Sequence, residues 1–119
     1  MGTVSKGKSG EIRAVEYLKQ KGFEILFTNY RYGHKEIDII ARDKKCIVFV
    51  EVKAGKSKSF GPPQGWVDIR KQRRLAEVAT AFLQENQFPG YDFRFDVIAI
   101  DRSSRQEKIE HIENAFYLD

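Results

Sequence analysis

The chain has 119 residues, 41% of them hydrophobic and 32% charged, enough for one compact core and too apolar for a disordered segment. Its longest uninterrupted apolar run covers only residues 46–50, far short of the roughly 20 residues a membrane-spanning helix needs, so no membrane contact is expected. The formal net charge of +4 is unevenly spread: residues 53–74 carry seven Lys or Arg against one acid, whereas residues 92–119 carry seven acids against four bases.

In chain order, the apolar positions Ile12, Val15 and Leu18, closed by Gly22, predict a helix over residues 9–21. Aromatic and β-branched residues over 23–30 predict a strand that runs into a polar turn. Residues 36–41 and 46–53 are two further strand-like runs separated by the charged segment 42–45, which is the pattern of an antiparallel hairpin. Residues 54–65, rich in Gly, Pro, Ser and Lys, form an expected exposed, mobile loop. From residue 67 or 68 to 86, Ile69, Leu75, Val78, Phe82 and Leu83 keep helical spacing, and Asp68 stands ready as the N-cap. Residues 93–100 read as a strand, and 108–118 fit either a short helix or a strand. The order predicts a single α/β domain over residues 1–119, a mixed sheet with helices packed on it. The start of the chain lacks the apolar stretch of a signal peptide, so a cytoplasmic location is expected. The lone Cys46, inside an apolar run, reads as a small buried hydrophobe.

The chemistry concentrates at the end of one strand. Alternation puts Cys46, Val48, Val50 and Val52 on one face and Ile47, Phe49, Glu51 and Lys53 on the other. A strand apolar on both faces is buried on both, so Glu51 and Lys53 emerge where a core strand reaches a cleft. A symmetric turn between Lys44 and Lys45 then sets Asp38 opposite Glu51. Two facing carboxylates repel unless a cation compensates them. Hard oxygen ligands and almost no Cys or His favour Mg²⁺ or Mn²⁺ over zinc. Glu11 shares a helix face with Val15 and Leu18, which turns a third carboxylate toward the sheet. Taken alone, Glu11 fits a favourable acid near a helix N-terminus, and Glu51 with Lys53 fits a minor ion pair at a strand end. Taken together they form a set suited to phosphodiester hydrolysis.

These residues also carry a resemblance. Asp38, twelve intervening residues and Glu51-Val52-Lys53 match the D…(D/E)XK signature of the restriction-endonuclease-like superfamily. The runs SGEIRAVEYLKQKGFEIL, NYR, EIDIIARD, IVFVEVK, FGPP and RFDVIAID, in this order, are similar to the bacterial YraN family, relatives of archaeal Holliday junction resolvases. The resemblance implies a restriction-endonuclease-like αβββαβ core, Mg²⁺ or Mn²⁺ dependence, and roles for Glu11, Asp38, Glu51 and Lys53 with Glu36 beside them. Lys35 stands where that family commonly has glycine, adding a charge by the cleft.

The resulting expectation is an endonuclease acting on DNA, branched or junction DNA included, with Glu11, Asp38 and Glu51 on the metal and Lys53 assisting. Lys56, Lys58, Arg70, Lys71 and Arg74 are the expected phosphate contacts, and a homodimer would suit a two-fold junction. The alternative from another class is an adaptor that binds nucleic acid on a nuclease scaffold without turnover. Gln72, with Lys71, is a further candidate for steadying a phosphate or the metal-bound water, Trp66, Phe60 and Tyr32 are assigned to packing, and neither His34 nor His111 has ligand-like spacing.

Overall fold

The computed structural model describes residues 6–56, 58 and 60–117. Helix α1 (Lys6–Gln20) precedes strands β1 (Glu24–Tyr32), β2 (Lys35–Asp43) and β3 (Cys46–Gly55); helix α2 (Ile69–Glu85) and strands β4 (Asp92–Asp101) and β5 (Lys108–Phe116) follow. The five strands form one sheet in the order β1-β2-β3-β4-β5. Only β3 and β4 run parallel, with α2 as their crossover. The other neighbours are antiparallel. This mixed α/β architecture is consistent with a restriction-endonuclease-like fold.

The central strand is buried on both faces because each face has its own helix. Val48 and Val50, with Ile39, Ala41, Ile98 and Ile100, pack against Ala14 and Leu18 of α1. On the opposite face Ile47 and Phe49, with Phe95 and Val97, pack against Leu75, Val78 and Phe82 of α2. Each fully buried aliphatic or aromatic side chain contributes roughly 1.5–3 kcal/mol, so the two-sided apolar character of β3 decides its central place. Asp68 caps α2 as expected, accepting a hydrogen bond from the Lys71 N–H at 2.9 Å.

The hairpin keeps the register that a turn at Lys44 and Lys45 dictates, from Asp43↔Cys46 to Ile39↔Val50. Beyond that the regular pairing stops. In β2, Ile37 and Ile40 both join the α2-side core while Ile39 joins the α1 side, so strict alternation fails between Ile37 and Ile39, at Asp38. The neighbouring strand is irregular at the same level: Asn29 has φ +53°, between the pairs Thr28↔Ile39 and Tyr30↔Ile37.

Some elements differ from expectation. The segment left open between helix and strand is β5, an edge strand paired with β4. Ile109, Ile112 and Phe116 are spaced three and four apart, as on a helix, yet the strand sends Ile109 to the α1 side and the other two to the α2 side. Cys46 is half-buried rather than buried. The loop after β3 is shorter than expected, since β3 continues to Gly55 and Pro63–Gly65 form a 3-10 turn. Of the aromatics assigned to packing, Trp66 and Phe60 meet edge to face at 5.7 Å and pack on the α2-side core, with Trp66 Nε1 donating to the Gly61 carbonyl at 3.0 Å, whereas Tyr32, at the end of β1, is exposed. No helix among the described residues is long and apolar enough to cross a membrane.

Candidate metal centre

The irregular ends of β1, β2 and β3 meet the first turns of α1, and a glycine makes that meeting close. A Cβ at Gly10 would fall 2.5 Å from the Ala54 Cβ, so only glycine lets the helix rest directly on β3. The next residue, Glu11, is thereby delivered to the strand ends. There one carboxylate oxygen each from Glu11, Glu36 and Asp38 lie within 4.8 Å of one another.

Asp38 sits where β2 and β3 part, and its Oδ2 accepts the Val52 N–H at 2.8 Å. Burial first, then the negative charge of Glu51, pushes its carboxyl up to about 7; Glu11 adds to this, against the lowering effects of the Val52 N–H and Lys71. Glu51 is 8% exposed and its Oε1 lies 2.8 Å from Lys71 Nζ, which reaches it from α2. Lys53, half-buried, stands two residues further along the same face of β3, opposite Ala99 of β4.

Two groups hold the acids from the β1 side. Asn29 Nδ2 donates to Glu11 Oε2 at 2.9 Å and to Glu36 Oε1 at 3.1 Å, while Asn29 Oδ1 accepts from Lys8 Nζ at 3.0 Å. Arg31 Nε donates to Glu36 Oε2 at 3.0 Å. Asn29 was not singled out by sequence reasoning, and Glu36 only as a neighbour of the motif. The available signal was a polar Asn inside an aromatic strand, a residue type that tolerates positive φ.

Of the expected ligands Glu11, Asp38 and Glu51, the structure groups Glu11 and Asp38 with Glu36, while Glu51, which lies close enough to Asp38 to raise its pKa, stands outside that group and pairs with Lys71. Of the expected phosphate contacts, Lys56 and Lys58 are exposed just after β3, and Arg70 and Arg74 are exposed on the first turns of α2. A cavity of about 350 Å³ beside the acids is lined by His34, Lys35, Glu36, Lys71, Arg74 and Leu75. Lys35 pairs with Glu77 of α2 and so links the start of β2 to that helix. Gln72 is committed elsewhere, donating to the Val67 carbonyl at 2.9 Å.

Glu11 comes from α1 and Glu36 and Asp38 from β2, so the group draws its carboxylate oxygens from two elements and contains no Cys or His. Three oxygens on one octahedral ion, each at about 2.1 Å, would lie about 3.0 Å apart when adjacent and about 4.2 Å apart when opposite, so oxygens within 4.8 Å of one another would have to draw closer on an ion. Such an all-oxygen set suits Mg²⁺ or Mn²⁺ better than zinc.

A second buried charge group lies under the C-terminal half of α1. Asp96 of β4, 1% exposed, is 2.7 Å from His111 Nε2 through Oδ2, and its Oδ1 accepts from Arg94 Nε at 3.0 Å and the Asn114 N–H at 3.1 Å. Tyr17 of α1 reaches the other ring nitrogen of His111 at 3.3 Å. The burial that would raise Asp96 is outweighed by His111 and Arg94, and its carboxyl lies below the usual range.

The chain matches the family described as Uncharacterised protein family UPF0102 over residues 10–100. It is 41% identical to a UPF0102 protein of Sulfurihydrogenibium sp. over the full length of both chains. It is also 46% identical over 114 residues to a UPF0102 protein of Geobacter metallireducens, covering 96% of this chain and 93% of that one. A third relative, from Syntrophus aciditrophicus, is 45% identical over 112 residues, 94% of this chain and 88% of that protein.

Proposed function

The chain belongs to the UPF0102 family, and from its acid cluster and basic flank we propose that it is a metal-dependent endonuclease of the PD-(D/E)XK kind, cleaving phosphodiester bonds in DNA. The observation that carries this reading is the convergence of Glu11, Glu36 and Asp38, with one carboxylate oxygen of each within 4.8 Å of the others, next to buried Glu51 and, on its strand face, Lys53. The likeness of the motif runs to the YraN proteins and junction resolvases supports the same reading and directs attention to branched DNA.

Glu11, Asp38 and Glu51 would hold Mg²⁺ or Mn²⁺. A bound ion of this kind supplies Lewis acidity at a phosphoryl oxygen and lowers the pKa of an attacking water. Lys53, on the face of Glu51, would orient that water and meet charge developing on the phosphate oxygens. Lys71, whose Nζ lies 2.8 Å from Glu51 Oε1, would place a positive charge beside the acids for a substrate phosphate. Lys56, Lys58, Arg70 and Arg74 extend this positive edge along the strand's backbone. The two-sided core behind β3 keeps the acids at fixed separation, so little ordering remains when substrate arrives.

The test is a panel of duplex, nicked, flap, four-way-junction and single-stranded DNA plus RNA, each incubated with Mg²⁺, Mn²⁺ or EDTA. Divalent-dependent cleavage of DNA in the parent, lost in Asp38→Asn with nucleic-acid affinity in EDTA retained, is the expected result. Binding without cleavage on every member of the panel would contradict the proposal and leave a nucleic-acid adaptor.

A further inference from the structure

The four acids of the centre differ in how fully protein donors engage them. Glu36 has a donor on each oxygen: Asn29 Nδ2 at 3.1 Å on Oε1 and Arg31 Nε at 3.0 Å on Oε2. Glu11 is engaged through Oε2 alone, by Asn29 Nδ2 at 2.9 Å with Lys8 Nζ 4.0 Å away. Asp38 is engaged through Oδ2 alone, by the Val52 N–H. Lys71 approaches Glu51 at Oε1. Among the described residues, Glu11 and Asp38 thus each present one oxygen with no protein donor, and Glu36 presents none.

The residue type at position 29 meets two demands at once. Its φ of +53° disfavours most side chains but is tolerated by Asn, Asp and Gly. Its amide supplies two N–H donors to two acids from different elements, α1 and β2, and an acceptor to Lys8. Asp would fit the backbone but repel both acids, and Gly would fit it but donate nothing.

We propose that Asn29 and Glu36 are positioning residues for the metal centre: the Asn29 amide aims Glu11 at the ion, and Glu36 anchors that amide instead of ligating. This rests on reading the acids as a metal site. It assigns Glu36 differently from its place in the tightest carboxylate set, and it explains why β1 breaks its regular geometry at this level. Hydrogen bonds from outer partners fix the orientation of ligating carboxylates, and their loss typically lowers metal affinity by about 10–100-fold.

The test is Mn²⁺ titration of the whole chain and its variants, with free Mn²⁺ read by electron paramagnetic resonance, alongside thermal unfolding without metal. Asn29→Gly should bind Mn²⁺ about 10–100-fold more weakly while unfolding at or above the parent's temperature, because glycine relieves the left-handed backbone. A structural role alone would lower stability and leave affinity untouched. Glu36→Gln keeps an oxygen for the Asn29 amide, and exposed Arg31 can turn away, so its affinity should fall much less than that of Glu11→Gln. Unchanged affinity in Asn29→Gly, or Glu36→Gln as damaging as Glu11→Gln, would overturn the assignment while the metal centre stands. A parent chain that fails to bind Mn²⁺ at all would remove the centre itself, and this inference with it.

Discussion

Asp38 and Asp96 are the same residue type on strands of one sheet, Asp38 half-buried and Asp96 buried, yet their surroundings drive them in opposite directions. Asp96 is met by His111, Arg94 and the Asn114 N–H, and these donors hold its carboxyl below the usual range despite burial. Asp38 has one N–H donor and two acids, Glu51 and Glu11, which together with burial raise it to about 7. A buried carboxylate surrounded by donors fastens elements together; here it ties β5 and, through His111 and Tyr17, the end of α1 to β4. One surrounded by other carboxylates is left in need of a positive partner that the chain only half supplies, through Lys71. That imbalance is what separates the proposed metal centre from the Asp96 ion pair.

The largest expected effect falls on the fastener. Asp96→Ala would leave buried cationic or donor groups without their acceptor and should cost about 3–5 kcal/mol in denaturant unfolding. Asp38→Asn should cost nothing or raise stability. Similar losses for both would erase the distinction.

Stability against pH sharpens the contrast next. Asp38's folded pKa lies above its ordinary value, so the folded chain holds an extra proton between roughly pH 4 and pH 7. Without metal this group's contribution therefore falls as pH rises through that window, by at most about 1.4 kcal/mol per pH unit. Asp96 has a lowered pKa, and its contribution is present above the ordinary carboxylate range and lost only as pH falls through its folded value. Unfolding curves of the metal-free parent and Asp38→Asn should diverge upward in pH across that window. Parallel curves would mean that Asp38 is not raised.

Gly10→Ala comes third. Its new methyl would meet the Ala54 Cβ at 2.5 Å, and overpacking of this kind costs about 1–3 kcal/mol. The helix end carrying Glu11 should lift, so Mn²⁺ affinity should fall with stability. Intact affinity would show that Glu11 does not depend on this contact. The smallest effect belongs to the rim: Arg70→Gln or Arg74→Gln should reduce the salt slope of DNA binding by about one unit each. An unaltered slope would place the exposed face of α2 outside the interface.

Much of this was legible because the relevant signals are local. Period-two alternation in residues 46–53 and the turn at Lys44 and Lys45 give the register the structure keeps from Asp43↔Cys46 to Ile39↔Val50, but that pairing stops one residue short of the expected Asp38 opposite Glu51, and Asp38 instead accepts the Val52 N–H. Helical phase suffices to turn Glu11 inward. Asn29 was not legible because its role depends on a positive φ and on two acids brought from other elements, neither of which a strand-like run reveals. Glu36 faces both Asn29 and Arg31 only because β1 and β2 pair in one particular register. His111 has no ligand-like spacing in the sequence; its partners Asp96 and Tyr17 become neighbours through the β4–β5 pairing and the path of α1. The strand β5 was hidden by apolar spacings of three and four, which serve a two-faced strand as well as a helix.

The proposed difference is that the Asp38 side of the molecule needs a cation and the Asp96 side does not. Its most direct test is thermal unfolding of the parent and of Asp38→Asn, each with and without Mn²⁺. At about a hundredfold excess over the dissociation constant, binding to the folded state alone contributes about 2.7 kcal/mol. With Mn²⁺ the parent's unfolding temperature should rise clearly and that of Asp38→Asn should not, although the metal-free variant is at least as stable. An equal shift in both proteins, or none in the parent, would contradict it.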